Sequence, residues 1–186
     1  MDVLYRSIDR YDATVAGARK GSAEHDWLQQ PPYGFVSPIY LGEIDCCVAS
    51  HDPAREVERL KSAGRPYPTE LRAGLTRGYH WGATFSLMNA EKPAKRGDVY
   101  AAMGCCGRAV SFLVQVLLAH NEVYPVSDKG VIDKISGLEK VPMDWSARVT
   151  NGLVIGTGQP DSLLSAVQVL RELTEEIGRM ITLPMD

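Results

Sequence analysis

The sequence lacks an excess of positive charge, since its 20 Lys and Arg residues stand against 23 Asp and Glu residues and leave a net charge of −3. A nucleic-acid-binding protein held by a broad basic face is therefore not expected. Long apolar runs are also missing: the longest, 110–119, is broken by Ser111 and Gln115 and falls well short of the ~20 residues of a spanning helix. No basic and apolar leader segment opens the chain. These absences predict a soluble, cytoplasmic protein with no nucleic acid and no membrane among its partners.

Several motifs of known chemistry are absent as well. The chain has no Walker-type phosphate loop, no Gly-x-Gly-x-x-Gly after a predicted strand, and no Gly-x-Ser-x-Gly elbow. It also has no His-Glu-x-x-His pair and no Arg-x4-His pattern. The sequence therefore offers none of these routes to nucleotide binding or hydrolysis.

Cysteine is scarce and is poorly spaced for a metal. The four cysteines form two adjacent pairs, at 46–47 and 105–106. Zinc ligands are usually spaced as Cys-x2-Cys or His-x3-His, because neighbouring side chains point apart on a strand or a helix. We therefore interpret the cysteines as small buried hydrophobes. The alternative is a metal site that joins them to the histidines, which are His25, His51, His80 and His120.

Residues 1–68 have a mixed texture that predicts a partial α/β region. Alternating apolar and polar residues predict a strand at 2–6, and a helical pattern follows at 9–20. A stretch rich in Pro and Gly, WLQQPPYGFVSP, leads into a second predicted strand at 39–48. A short helix is predicted at 55–63.

Residues 69–186 predict an antiparallel helical bundle. Apolar residues recur at helical spacing in a first long helix, 69–90, where Leu71, Leu75, Tyr79 and Phe85 lie near one face. They recur likewise in a second helix that runs from its cap at Asp98 to about residue 121. The other predicted helices are short ones at 128–136 and 143–151 and a last long one that Asp161 caps. The predicted fold class is mostly α with a small β portion (α+β), in which N-terminal strands and short helices precede the bundle. The predicted domains are 1–68 and 69–186.

Three glycines recur every four residues inside the first long helix, at Gly74, Gly78 and Gly82. Each costs up to about 1 kcal/mol relative to Ala in a helix interior. Their shared face predicts a smooth groove that another helix approaches closely. The alternative is that this helix is broken or weakly formed.

One local pattern suggests metal chemistry. Gly21-Ser22 is followed by Glu43 and Asp45, and polymerase-type nucleotidyltransferases hold two Mg²⁺ ions with alternating carboxylates on one strand face. Here the Gly-Ser pair follows a predicted helix, and the separation is too long. We favour the interpretation that Glu43 and Asp45 are solvated side chains on an edge strand.

A family resemblance emerges when four segments are read together: MDVLYRSIDRYD, PPYGFVSPIYLGE, HDPAREVERLKSAGRPYPTELR and KRGDVYAAMGCCGRAVSFLVQVLLAHNEVYPVSDKG. This succession resembles the later part of bacterial minimal nucleotidyltransferase-like proteins, whose relatives adenylylate aminoglycosides and lincosamides. The resemblance covers nearly the whole chain, and its motifs are moderately specific. It implies the end of an α/β catalytic domain followed by a C-terminal helical bundle.

The resemblance matches the predicted strand at 2–6 to the strand of the family's third catalytic carboxylate, so that Asp2 is the implied catalytic and metal-binding residue. In the family this acid binds Mg²⁺ or takes the proton of the attacking hydroxyl, and ATP or another nucleotide is the donor. The Gly-Ser turn and the Asp-x-Asp pair would lie before residue 1, so we expect the chain alone to be inactive. Whether it is an enzyme stays open, and Asp2 as a terminal residue without a role is the alternative.

A second match lies in the bundle, where the resemblance implies that Lys129 and Arg108 contact the nucleotide. Lys129 follows Ser127 and Asp128 at a predicted helix start, where free N–H groups and the helix dipole favour phosphate. The alternative is a solvated turn that Asp128 caps. Arg108 lies in an apolar helix, so pairing with a carboxylate is favoured over ligand contact.

Two kinds of function follow. The first is a nucleotidyltransferase-like protein, incomplete and inactive alone, whose bundle shapes a nucleotide or acceptor-substrate pocket. The alternative is a non-catalytic module that binds a small molecule, a partner chain or a second copy. Because the edge of strand 2–6 and the glycine face are both adhesive surfaces, we expect a homodimer or a missing N-terminal segment. The tryptophans are interpreted as core or interface residues, at Trp27, Trp81 and Trp145.

Overall fold

A computed structural model describes residues 5–29, 32–154, 156 and 158–182 of the protein. The described chain is mostly helical, with a small two-stranded antiparallel sheet and a packed helical bundle, so the predicted fold class is confirmed. The elements in chain order are α1 (Ile8–Ala18), β1 (His25–Asp26), β2 (Phe35–Val36), α2 (Pro38–Cys46), α3 (Glu56–Ala63), α4 (Thr69–Lys95), α5 (Val99–His120), α6 (Val131–Ser136), α7 (Trp145–Leu153) and α8 (Pro160–Thr182).

Capping signals were informative for α5 and misleading for α8. The Asp98 carboxylate accepts a hydrogen bond from the Ala101 N–H (3.1 Å) at the start of α5, as predicted. Helix α8 begins at Pro160, so Asp161 lies inside its first turn and the predicted cap there is wrong. Proline suits a first helical position, because its fixed backbone angle is helical and its missing N–H would have no partner there.

The predicted strand at 39–48 is also wrong, because this segment belongs to helix α2. Pro38 stands in the first turn of α2 and favours a helical start. Ile39 and Leu41 are buried, and the periodicity of so short an apolar run does not distinguish a strand from a helix.

The sheet among the described residues lies elsewhere than predicted. Strands β1 and β2 flank the Pro-rich stretch and pair antiparallel, with His25 opposite Val36. Residues 2–4 of the predicted first strand lie outside the described residues, and Tyr5 and Arg6 are not in a strand.

The remaining predicted helices are present with shifted ends. They correspond to α1, α3, α4, α6 and α7. The shift matters at α6, which was predicted from residue 128 but begins at Val131, after Gly130 in a left-handed conformation (φ 67°). Positive φ is easy for glycine and strained for residues with a Cβ, so Gly130 suits this turn into α6.

The chain divides into two compact units. Unit 1 comprises Met1–Leu75 and Glu122–Asp128, and unit 2 comprises Thr76–Asn121 and Lys129–Asp186. Helix α4 contributes its first turns to unit 1 and the rest to unit 2. The division into domains 1–68 and 69–186 stays a prediction.

Three tyrosines are buried in unit 1. The Tyr11 hydroxyl donates to the Leu60 carbonyl (2.8 Å), and the Tyr124 hydroxyl donates to the Gly64 carbonyl (2.6 Å). Tyr67 stacks on Tyr124 with ring centroids 4.6 Å apart. Aromatic rings thus supply much of the buried apolar area in a unit whose helices are short.

The core of unit 2 is built around α5, which packs against α6, α7 and α8. Helix α4 contacts α8 through His80 Nε2, which lies 3.0 Å from the Thr174 carbonyl, and through Arg171, which donates to Glu91 (3.0 Å). Among the described residues, α5 is also the one helix long and apolar enough to cross a membrane. Of its most apolar window, 72% is buried inside the protein, and core helices of soluble proteins pass the same test.

Candidate binding face of the helical unit

The carboxylates singled out in the sequence do not share a strand face. Glu43 and Asp45 both lie on α2, where residues two apart point in different directions. The Glu43 carboxylate accepts two hydrogen bonds from Arg6 (2.6 and 2.7 Å), and the Asp45 carboxylate is likewise paired with Arg65. Each is therefore held in a bidentate ion pair.

The implied magnesium site cannot be placed on the structure. Asp2 lies outside the described residues, so its catalytic and metal-binding roles stay predictions. Within the described part of the chain, no three His, Cys, Asp or Glu side chains converge as a metal site would require. Of the cysteines, Cys106 is buried as predicted, whereas Cys46 is exposed, so the interpretation of all four as buried hydrophobes is wrong at Cys46.

Lys129 lies in an exposed turn rather than at a helix start. Helix α6 begins two residues later and has only six residues, with Gly130 as its cap. The predicted cap at Asp128 is therefore wrong, and the helix dipole no longer supports phosphate binding at this position. What remains for the predicted nucleotide contact is the charge of Lys129 itself.

Arg108 is exposed and lies against an aromatic ring. Its guanidinium carbon is 5.4 Å from the centroid of the Phe112 ring, one helical turn further along α5. Such a cation–π contact is worth about 0.5–1 kcal/mol at an exposed site. The Phe112 ring also packs against α4. A Cβ atom added at Gly82 would lie only 2.7 Å from Phe112 Cε2, and the Tyr79 ring meets the Phe112 ring edge-on. Arg108 therefore marks the seam between α4 and α5.

The glycine groove predicted on α4 is only partly formed. Gly82 is closely approached by another helix, as predicted. Gly74 instead faces a loop, since an added Cβ would lie 2.1 Å from the Gly21 carbonyl oxygen. Gly78 has no heavy atom of the described chain within 4 Å of an added Cβ and is open to solvent.

Beside Gly78, α4 carries an exposed apolar stripe. Trp81, Phe85 and Met88 are 63%, 54% and 61% exposed, and their spacing of four and three residues places them on one helix face. The ring centroids of Trp81 and Phe85 are 6.1 Å apart. Scattered exposed apolar residues are ordinary, but a contiguous patch with a polar rim marks an interaction site.

The exposed charges along this stripe are cations, and the nearby, partly buried Glu91 is paired with Lys95 and Arg171. Between residues 71 and 90 α4 has no Asp or Glu, and α5 has none along its whole length. Exposed cations border the stripe at Arg77, Lys92 and Arg108. On α5, Tyr100 and Gly104 precede Arg108 by two turns and one turn, so they lie on the same side of that helix. We call this surface the α4–α5 face; it consists of Arg77, Gly78, Trp81, Phe85, Met88, Lys92, Tyr100, Gly104 and Arg108.

Sequence reasoning missed this face because α4 has two apolar stripes. The predicted stripe included Phe85 with Leu71, Leu75 and Tyr79, yet Phe85 is exposed and Leu87 is buried in its place. The spacing of Trp81, Phe85 and Met88 was a signal in the sequence, but only the packing of α5 and α8 shows which stripe stays in solvent.

Two concavities elsewhere are weaker candidates. One of about 440 Å³ lies along residues 136–147 of unit 2, and one of about 240 Å³ in unit 1 is lined by Arg10 and Glu24. Within the described residues, the buried side-chain oxygens without a hydrogen-bond partner are Tyr67 Oη and Gln115 Oε1, and neither lines these concavities. Neither concavity therefore shows an unsatisfied buried polar group that a ligand would complete.

Comparison with known proteins leaves the family open. No protein-family model, no curated protein and no solved structure matches the chain. The fold and the face define a helical protein with an exposed aromatic and cationic surface. The resemblance to nucleotidyltransferase-like proteins stays a prediction from the segments quoted above.

Proposed function

We propose that this protein is a binding module, non-catalytic by itself and related to the nucleotidyltransferase-like proteins, that recognises an anionic and apolar ligand through the α4–α5 face. The observation that carries the proposal is the exposed stripe of Trp81, Phe85 and Met88, bordered by exposed cations, while the nearby Glu91 is paired with other cations. Folding gains nothing from leaving these side chains in water, whereas a ligand that covers them gains their burial.

The exposed area is large enough to drive binding. Side chains of this size bury about 150–250 Å² each, so the three exposed fractions leave on the order of 300–400 Å² for a ligand. At about 25 cal/mol per Å², this area is worth roughly 8–10 kcal/mol before the costs of association. Those costs are about 4–15 kcal/mol, so we expect affinities in the micromolar range or weaker unless charge adds to them.

Charge selects the sign of the ligand. A surface patch in which cations outnumber carboxylates has a positive potential, which attracts anions and raises their association rate. This attraction falls with ionic strength, since exposed charges are screened over about 10 Å at 0.1 M salt. The ligand class that satisfies both features carries negative charge next to apolar groups.

Anilinonaphthalene sulfonate, an aromatic anion, tests the proposal directly. We expect the native protein to enhance the fluorescence of this probe in low salt, and we expect Phe85→Ser to weaken binding at least about tenfold. The matched control is Val154→Ser, which removes a 65% exposed apolar side chain elsewhere in unit 2. Near-UV circular dichroism must be unchanged, because partly unfolded proteins also bind this probe. Equal probe binding by the wild type and both variants would refute the proposal.

A second candidate function is a nucleotide or acceptor-substrate pocket in the bundle, with ATP and Mg²⁺ as the cofactors that the resemblance implies. The observation in its favour is that both matched cations, Lys129 and Arg108, have exposed side chains. The purified chain should not adenylylate aminoglycosides or lincosamides. Mg²⁺-dependent transfer that is lost in Asp2→Ala would show that the chain is an enzyme after all.

A further inference from the structure

We propose that the occupant of the α4–α5 face is an acidic amphipathic helix of a partner protein. This inference rests on the proposed function and names the ligand. Such a helix has apolar residues three and four apart on one side and Asp or Glu at both ends of that stripe. Three observations support it: the shape of the face, its small residues and the positions of its charges.

The shape of the face fits an elongated ligand. Small-molecule sites are concave and enclose most of the ligand, whereas Trp81, Phe85 and Met88 are each more than half exposed on the outside of a helix. At 1.5 Å per residue the stripe of these three extends about 10 Å along α4, and the cations Arg77 and Lys92 are about 22 Å apart along it. That length corresponds to about four turns of a bound helix.

The small residues of the face allow a backbone to come close. Gly78 on α4 and Gly104 on α5 both have open space where a side chain would be. Helices pack by placing side-chain ridges into grooves, and a glycine deepens such a groove. Met88 adds a flexible and polarisable contact, a property common in surfaces that bind helical peptides.

The charges distinguish an acidic helix from a second copy of this chain. In a two-fold symmetric dimer through this face, the same surface would meet itself, so that its cations would face an equal excess of cations. Glu91 beside Lys92 would not offset this repulsion, because it is already paired with Lys95 and Arg171. An acidic helix instead brings carboxylates to these cations. The homodimer predicted from the sequence would therefore use another surface.

Two matched synthetic peptides test the inference on the full chain. Both have about 18 residues and carry Leu at helical spacing; one has Glu at the flanking positions and the other has Lys there. Binding is measured by fluorescence polarisation of a labelled peptide in low salt. We expect the Glu peptide to bind at least about tenfold more tightly than the Lys peptide, and we expect this preference to shrink as salt is added.

Charge reversal in the protein is the decisive variant. The double variant Arg77→Glu, Lys92→Glu should bind the Lys peptide more tightly than the Glu peptide, because the sign of the face is reversed. Met88→Ser should weaken binding of both peptides without changing the preference. Lys134→Glu reverses an exposed charge on α6 in the same unit and should leave both affinities unchanged. Arg77, Lys92 and Lys134 are charged and exposed, and Met88 is also exposed, so none of these substitutions should change the fold. Circular dichroism checks this.

Several outcomes would overturn the inference. Equal affinity for the two peptides would show that charge does not select the ligand. Displacement of the Glu peptide by ATP would assign the face to a nucleotide, and binding to phosphatidylserine vesicles without peptide binding would assign it to a lipid surface. A dimer in light scattering that Phe85→Ser dissociates would assign the face to a second copy. If anilinonaphthalene sulfonate binds at the face but the peptides are not discriminated, only this inference fails; if the probe does not bind there, the proposed function fails as well.

Discussion

Both compact units contain arginine–carboxylate pairs, but unit 2 also has a surface whose exposed charges are cations. In unit 1 arginines pair with carboxylates, as in Arg6–Glu43, Arg65–Asp45 and Arg72–Glu122. In unit 2 the central helix α5 has no carboxylate, and its one arginine, Arg108, lies on an aromatic ring. Exposed ion pairs contribute little stability, so those of unit 1 mainly orient its short helices. On the α4–α5 face, Arg77 and Lys92 instead border an exposed apolar stripe, and this difference is what indicates binding.

Both units bury some large aromatic residues and expose others. Unit 1 buries three tyrosines and leaves Trp27 about half exposed, whereas unit 2 buries Trp145 but exposes Trp81 and Phe85 together on one face of α4. Unit 2 is not short of core residues, since α5 and α8 bury long aliphatic stripes. Because the core of unit 2 is complete without Trp81 and Phe85, their exposure indicates a binding surface.

The largest expected effect on stability compares two glycines of α4. Backbone approaches the one in unit 1 closely, whereas a side chain approaches the one in unit 2. Gly74→Ala should lower the free energy of unfolding by about 3 kcal/mol, because the new Cβ would meet the Gly21 carbonyl at 2.1 Å and backbone cannot rotate away. Gly82→Ala should cost about 1–2 kcal/mol, since the Phe112 ring can shift. Urea denaturation of both variants measures the difference.

The internal control for this pair is Gly78→Ala, where the new Cβ meets nothing within 4 Å. It should raise the free energy of unfolding by up to about 1 kcal/mol, because alanine is the better helix former. An equal change in stability for all three substitutions would show that no atoms approach Gly74 and Gly82 as closely as the structure has them.

The next effect concerns alkaline pH and the buried phenols of unit 1. Burial raises the pKa of Tyr124 to about 12, and it also raises the pKa of Tyr11. The pKa of an unfolded tyrosine is near ~10, so the folded state holds the neutral phenol and this stability is fully present below pH ~10. It is lost as the pH rises through 12, by about 3 kcal/mol for Tyr124 at ~1.4 kcal/mol per pKa unit.

Denaturation midpoints between neutral and strongly alkaline pH, together with tyrosinate absorbance, measure this loss. Tyr124→Phe should flatten the pH dependence of stability. Tyr100→Phe removes a 91% exposed phenol and should leave the curve unchanged. A profile that is identical in all three proteins would mean that the buried phenols do not control alkaline stability.

A smaller effect distinguishes two tyrosines within the same stack at neutral pH. Tyr124→Phe should cost about 1–2 kcal/mol, because the Gly64 carbonyl loses the hydroxyl that donates to it. Tyr67→Phe should be nearly neutral or stabilising, since the Tyr67 hydroxyl is buried and has no partner in the described structure. Thermal unfolding of the two variants is the measurement, and a larger loss in Tyr67→Phe would point to a buried water that bridges its hydroxyl.

The smallest effect concerns ATP and Lys129 of unit 2. We expect a dissociation constant on the order of millimolar, about 4 kcal/mol, because little besides exposed charge would hold the phosphates. Lys129→Ala should weaken binding only severalfold, since an exposed charge contact is worth at most about 1 kcal/mol. An NMR titration in low salt measures both proteins. An identical response of the two would make Lys129 an ordinary solvated residue and remove this support for the nucleotide pocket.

Much of the helical architecture was predictable because its signals are local. Asp98 precedes an apolar stripe at helical spacing, and both the cap and the helix are present. The strand predicted at 39–48 failed because Pro38 and a few apolar residues suit a buried helix equally well. Nearby residues could not resolve this choice, since it depends on contacts with α1 and α3.

The candidate site was less predictable than the fold. Arg108 was identified through a family resemblance as a possible nucleotide contact, yet what distinguishes it is a position on the seam next to Gly82 and Phe112. Gly82 and Phe112 are about thirty positions apart in sequence. No local sequence pattern shows that the Phe112 ring fills the space that Gly82 leaves open.

The sequence alone predicted long helices at α4 and α5 and determined that α5 carries no carboxylate. Once α4 is helical, spacing alone also places Trp81, Phe85 and Met88 on one face, because spacing and charge are local properties. Tertiary structure decided which of the two apolar stripes on α4 is covered. Burial depends on where α5 and α8 pack against α4. These contacts join residues up to about a hundred positions apart in the chain, such as His80 and Thr174. The stripe they leave uncovered is the surface on which the proposed function depends.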